Sequence, residues 1–190
     1  MPGTRGATPD GAAPAADRAA EGPAPDRLAG EVSEADLATL GEQLGRAPRG
    51  VVGVAARCVC GRPIVVRTAP RLPDGTPFPT TYYLTHPRAV AAVSTLEASG
   101  VMREMTQRLQ DDPDLAARYR AAHEDYLRRR AELGVVPEIA GISAGGMPGR
   151  VKCLHVLVGH ALAVGPGVNP LGDEALALLA EHWRPDVCTC

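Results

Sequence analysis

Residues 143–164 read SAGGMPGRVKCLHVLVGHALAV, a glycine-rich loop that leads directly into a helix. The second part, 151–164, predicts the most apolar helix of the chain. The loop and the helix start carry Lys152, the only lysine of the protein, together with Cys153 and His155. A flexible backbone, a helix N-terminus, a cation and a soft ligand therefore meet in one short stretch. This makes it the first candidate for a functional site.

The sequence before this stretch predicts one helix followed by a small sheet. Ser33 is typical of a helix N-cap, and leucines at helical spacing continue the helix after it. Short β-branched runs at 51–54 and 64–66 predict two strands. The segment 58–63 between them predicts a hairpin connection, and 82–84 predicts a third strand.

Three further helices are predicted to begin at prolines. Pro87 and Pro113 follow residues suited to a cap, and Pro170 follows Asn169 in the same way. Together the elements predict an α+β fold. It is a helix-dominated single domain with a small antiparallel sheet of two or three strands.

The composition changes along the chain and predicts three segments. Residues 1–32 are mostly alanine, proline and glycine, which cannot bury enough apolar surface to offset the entropy lost on ordering. We therefore predict a disordered tail at 1–32 and one globular domain at 33–185. Residues 186–190 are predicted to be a C-terminal tail, where fraying is expected.

Charge and hydropathy argue against several classes of protein. The chain has 190 residues, 45% of them hydrophobic, and a net charge of −2, which gives no overall attraction to nucleic acid or anionic membranes. No apolar run approaches the ~20 residues needed to span a bilayer, and the start shows no secretory signal. We expect a cytoplasmic protein, with no nucleic-acid or membrane partner, whose five cysteines stay reduced.

The cations around the glycine-rich loop predict a pocket for a small anion. Gly149, Arg150 and Lys152 lie at the predicted helix start, where backbone N–H groups and positive charge favour anions. Arg67 and Arg71 belong to a long, proline-stiffened loop and are suited to clamp a phosphate or carboxylate. A phosphate-like ligand is the expected partner, and a flexible connector without a ligand is the alternative.

Cys153 is the candidate nucleophile, because a helix N-terminus and neighbouring cations favour the reactive thiolate. A histidine would have to carry the proton. His155 is close in sequence but points elsewhere if Cys153 lies in a regular helix, so a distant base such as His86 is the alternative. The candidate catalytic residues are therefore Cys153, His155 and His86, and whether the chain is an enzyme stays open.

Thiols and imidazoles also predict a metal site, with zinc or iron as the expected cofactor. The predicted core of ligands is Cys58, Cys153 and His155. No spacing matches the Cys-x2-Cys of common zinc modules. In this alternative the chain is a metal-stabilised, non-enzymatic domain that binds a partner protein. Three further cysteines occur, at Cys60, Cys188 and Cys190.

The stretches 68–86 and 149–155, with Asn169-Pro170, resemble a bacterial family catalogued as domain of unknown function number five hundred and one. The resemblance covers about residues 34–185. It implies a cytosolic protein and specifies no reaction. The family pattern includes the cysteine at Cys58 and the Lys-Cys-Leu-His at 152–155. It does not require the three further cysteines, which weakens any metal site that depends on them.

Overall fold

The computed structural model of the protein describes residues 31–190. Apart from Glu31 and Val32, the predicted tail at 1–32 lies outside these residues. Within this part no helix is long and apolar enough to cross a membrane. The described residues form the predicted α+β domain, with six α-helices, one 3-10 turn and three strands. The elements are α1 (Glu34–Leu44), β1 (Val51–Arg57), β2 (Pro63–Thr68), β3 (Tyr82–Leu84), α2 (Pro87–Ala98), α3 (Val101–Asp111), α4 (Pro113–Ala131), the 3-10 turn (Pro137–Ile139), α5 (Leu154–Val164) and α6 (Pro170–Leu179).

The sheet is antiparallel, with β2 between β1 and β3. Every residue of β2 is buried, which is typical of a strand covered on both faces. On one face Val66 packs with Leu40 of α1. On the other face Val65 belongs to the main core, which also contains Leu157 of α5. The sheet therefore separates α1 from the other helices.

The turn between β1 and β2 is tight. The Cys58 N–H donates to the Arg62 carbonyl at 2.9 Å, and the Gly61 N–H donates to the Cys58 carbonyl at 2.7 Å. Gly61 has φ +89°, a conformation that residues with a Cβ rarely adopt. The turn holds Cys58 at the end of β1 and exposes Cys60 at its tip.

Helix α5 is the apolar helix that the sequence predicts, but it begins at Leu154 and not at Val151. The backbone N–H groups before α5 are hydrogen-bonded to other parts of the chain. The Val151 N–H donates to Thr106 Oγ1 at 3.0 Å, and the Lys152 N–H donates to the Gly145 carbonyl at 2.8 Å. These contacts hold residues 151–153 out of the helix. Cys153 becomes the extended N-cap residue, with φ −157° and ψ 114°.

Two close approaches fix α5 within the core. A Cβ added to Gly159 would lie 3.0 Å from the Tyr82 carbonyl oxygen, so β3 packs directly on the helix. A Cβ added to Gly172 would lie only 2.4 Å from the Leu157 carbonyl oxygen. Because both positions lack a side chain, β3 and α6 can contact the α5 backbone from two directions.

The chain turns back after α6. Trp183 is buried and its ring lies 5.8 Å from the ring of His86, measured between centroids. A turn follows in which the Val187 N–H donates to the Arg184 carbonyl at 3.3 Å. The last residue, Cys190, lies against Cys60 of the β1–β2 turn.

Candidate functional site

Four thiols from two distant segments meet beside the β1–β2 turn, and we call them the thiol cluster. All four sulfur atoms lie within 4.8 Å of one another, and Cys60 Sγ is 3.4 Å from Cys190 Sγ. All are free thiols. A tetrahedral zinc ion with bonds of about 2.3 Å places its sulfur ligands about 3.8 Å apart. The sulfur–sulfur distances in the cluster are of this size. The members are Cys58, Cys60, Cys188 and Cys190.

The thiols perturb one another. Burial raises the pKa of the Cys58 thiol, and burial together with the neighbouring thiols raises that of Cys190. Hydrogen bonds, first from the Arg62 backbone and then from Cys190, lower the pKa of Cys60 to about 7. Negative charge therefore concentrates on one sulfur, because thiolates this close repel one another. A divalent cation would remove that repulsion.

His86 borders the thiol cluster. Its Nε2 lies 3.2 Å from Cys190 Sγ, and its Nδ1 accepts a hydrogen bond from the Ala89 N–H at 3.4 Å, which caps α2. We therefore assign the proton to Nε2, which donates to the sulfur. Burial lowers the pKa of the His86 imidazole and favours this neutral form. His86 is thus a hydrogen-bond donor to a candidate ligand, and it lies beside the thiol cluster.

A second group, which we call the mixed cluster, consists of Glu97, Cys153 and His155. His155 Nδ1 lies 3.9 Å from Cys153 Sγ and 3.2 Å from Glu97 Oε1. The same carboxylate oxygen accepts the Leu154 N–H at 2.6 Å and so caps α5 from α2. His155 Nε2 lies 3.3 Å from the Val90 carbonyl oxygen.

The contact between Cys153 and His155 corrects the expectation that the two side chains point apart. That expectation assumed that both residues are helical. Since α5 begins after Cys153, the extended N-cap turns its sulfur towards the imidazole. The hydrogen bond with Cys153 raises the pKa of His155 to about 9; burial opposes the shift and the Glu97 carboxylate adds to it. The mixed cluster therefore favours a positive charge at Nδ1.

Cys153 and His155 form part of the wall of a cavity of about 630 Å³. Its other walls come from α1, β3 and α2 and are mainly apolar, with Tyr83, Leu84 and Val90 among them. Among the described residues, no lysine or arginine lines this cavity. The cavity therefore suits a neutral, largely apolar molecule better than a phosphate.

The residues predicted to bind an anion lie elsewhere. Arg71 donates to both carboxylate oxygens of Glu138 at 2.7 Å, and Arg67 is buried in β2 with its guanidinium 3.9 Å from Glu132. The remaining three are exposed and precede α5. Within residues 31–190, none of the five lines the cavity, and the anionic ligand stays a prediction. The three before α5 are Gly149, Arg150 and Lys152.

The predicted metal ligands Cys58, Cys153 and His155 do not form one group. Cys58 belongs to the thiol cluster, whereas Cys153 and His155 belong to the mixed cluster. Sequence reasoning set aside the other members of the thiol cluster, although two Cys-x-Cys pairs were a visible signal. It missed Glu97 altogether, because an acidic residue near the end of a helix carries no signal of its own.

One family model, described as "Protein of unknown function (DUF501)", matches residues 54–177. The chain belongs to this family. The DUF501 match includes all of the mixed cluster and the β1–β2 turn, and it ends before the two C-terminal cysteines. No curated protein and no solved structure matches the chain. The family description names no activity, so the function of this DUF501 protein must be argued from its two clusters.

Proposed function

We propose that this protein is a zinc-stabilised domain in which the thiol cluster holds one zinc ion. The observation that carries the proposal is the convergence of four sulfur atoms within 4.8 Å from segments more than a hundred residues apart. Four thiolates and no other ligand are the closed set that structural zinc sites use. Iron also accepts four thiolates, but zinc binds such ligands more tightly than ferrous iron.

The surroundings of the thiol cluster suit a zinc ion. Four thiolates and Zn²⁺ carry a net charge of −2. Beside Cys190 lies a cleft of about 350 Å³ whose lining includes Arg62 and Arg88. His86 adds a hydrogen bond to the Cys190 sulfur. Cations and hydrogen-bond donors around a thiolate–zinc centre stabilise its negative charge and orient its ligands.

The proposed role of this ion is structural. Cys60 and Cys190 are 130 positions apart, so zinc would close a long loop and fasten the C-terminal segment to the β1–β2 turn. In that segment Trp183 is buried, whereas the last seven residues are exposed. Zinc would therefore supply the order that their packing does not.

The metal content of the untagged full-length chain tests the proposal. The double variant Cys188→Ser/Cys190→Ser should lose one zinc per chain relative to the wild type. Thr189→Ala, which changes the residue between the two ligands, is the matched control and should lose none. Alkylation without reductant, followed by mass spectrometry, should show free thiols once zinc is chelated. Two disulfides in the freshly purified protein, with no metal, would contradict the proposal.

A further inference from the structure

The mixed cluster has an arrangement that a nucleophile–base pair does not explain. In a catalytic triad, one nitrogen of the histidine faces the nucleophile and the other faces the carboxylate. Here the same atom, His155 Nδ1, faces both Cys153 Sγ and Glu97 Oε1. One proton on Nδ1 cannot be passed to and from the sulfur while it is held by the carboxylate. A metal ion among the three atoms satisfies all of them at once.

The other nitrogen of His155 supports this reading. Nε2 lies 3.3 Å from the Val90 carbonyl oxygen and 3.4 Å from Ser94 Oγ. Since a carbonyl can only accept, we assign a proton to Nε2. A metal ion that displaces the Nδ1 proton would then meet the lone pair of this nitrogen, which is directed at the cluster. Metal-binding histidines usually donate their second N–H to a carbonyl in this way.

The distances fit a transition metal. With ordinary zinc bond lengths, tetrahedral nitrogen and oxygen ligands lie about 3.4 Å apart, and nitrogen and sulfur ligands about 3.6 Å apart. The corresponding distances are 3.2 Å from His155 Nδ1 to Glu97 Oε1 and 3.9 Å from Nδ1 to Cys153 Sγ. The Leu154 N–H also fixes the carboxylate at 2.6 Å, so two of the three ligands are oriented by the backbone.

We infer that Glu97, Cys153 and His155 form a second metal site, of the open kind, which binds a divalent transition ion such as zinc. Three protein ligands leave one coordination position, as in zinc enzymes. The side chains of His155 and Glu97 are 25% and 23% exposed, and the cavity adjoins the site. The open position would accept water or an oxygen atom of a neutral ligand with an apolar body, because among residues 31–190 no lysine or arginine lines the cavity.

The inference is independent of the proposed function, because the two clusters share no ligand. It predicts two zinc ions in the wild-type chain and one in Cys188→Ser/Cys190→Ser. Adding Cys153→Ser or Glu97→Gln to the double variant should remove the remaining ion. Glu97→Gln keeps an amide oxygen that can accept the Leu154 N–H, so the helix cap survives while the charge is lost. Glu104→Gln, an exposed carboxylate on α3, is the matched control and should retain the ion.

Cobalt gives a second readout. Co²⁺ added to the metal-free double variant should produce a sulfur-to-cobalt charge-transfer absorption that Cys153→Ser abolishes. If the double variant does not fold, the single variants Cys153→Ser and Glu97→Gln should each lower the zinc content of the wild type from two to one. A double variant that folds but binds no zinc would overturn the inference. So would a remaining ion that survives Cys153→Ser, or alkylation of Cys153 at the same rate with and without zinc.

Discussion

The two clusters use cysteine in opposite ways. The thiol cluster has three exposed members and one buried member, takes its ligands from the β1–β2 turn and the C-terminal segment, and contains only sulfur. The mixed cluster is half-buried, takes its ligands from α2 and the start of α5, and combines sulfur, nitrogen and oxygen beside a cavity. Ligand number and surroundings, more than the presence of cysteine, therefore distinguish a closed structural site from an open one.

The largest expected effect is on stability at the thiol cluster. Cys188→Ser/Cys190→Ser should cost the zinc-loaded protein about 4 kcal/mol, the order of magnitude for closing a loop of more than a hundred residues. At about 2–4 °C per kcal/mol for a chain of this size, the melting temperature should fall by about 8–16 °C. Calorimetry with excess zinc measures this. Cys153→Ser should cost about 1 kcal/mol, because the other two ligands of the mixed cluster, Glu97 and His155, are already held by hydrogen bonds to the backbone. If both variants lost the same free energy of unfolding, the thiol cluster would not be the more stabilising of the two.

The second effect concerns the packing that positions the mixed cluster. Gly172→Ala would place a methyl group against the Leu157 carbonyl and push α6 away from α5. We expect a loss of about 1–3 kcal/mol in urea unfolding. Gly41→Ala is the matched control, because a Cβ there meets no atom within 4 Å. Gly172→Ala should also weaken metal binding at the mixed cluster and leave the thiol cluster unchanged.

A third prediction concerns the pH dependence of stability and Asp125 of α4, whose carboxylate contacts His160 of α5. Burial opposes ionisation of Asp125, but hydrogen bonds from His160 and Arg129 outweigh it and hold the pKa of this carboxyl well below its usual range. A lowered pKa stabilises the fold above the ordinary carboxyl pKa, and this contribution is lost as the pH falls below about 4.

Asp125→Asn should therefore cost about 1.5–3 kcal/mol at neutral pH, the range for hydrogen bonds to a charged group. The stability difference between wild type and variant should shrink as the pH falls below about 4. Denaturant unfolding across this range, with both proteins free of metal, measures the difference. If the difference in unfolding free energy between the two proteins widened in acid, Asp125 would not stabilise the fold through its charge.

The smallest effect is expected at the residues predicted to bind an anion. Arg71 pairs with Glu138 at the surface, and such pairs contribute about 0–1 kcal/mol. Arg71→Ala and Lys152→Ala should each change the melting temperature by about 2 °C or less. Inorganic phosphate should stabilise the wild type and both variants equally. A stabilisation that both substitutions remove would restore the anion pocket and place a third site beside the two clusters.

Most of the fold could be predicted from the sequence because its signals are local. Proline after a capping residue begins α2, α4 and α6, as predicted, and β-branched runs form β1 and β2. The start of α5 could not be predicted, because it depends on hydrogen bonds that Thr106 and Gly145 make to residues 151 and 152. These partners come from other parts of the chain, and no periodicity records them.

The sequence by itself determined the elements, the apolar character of α5 and the presence of Cys153 and His155 beside a helix start. Only the tertiary structure decided which thiols meet. Hydrophobic spacing reports which face of an element is buried, whereas the meeting of Cys58 with Cys190, or of Glu97 with His155, depends on how those elements pack. Ligand sets that join distant segments are a property of that packing, so they become visible only in three dimensions.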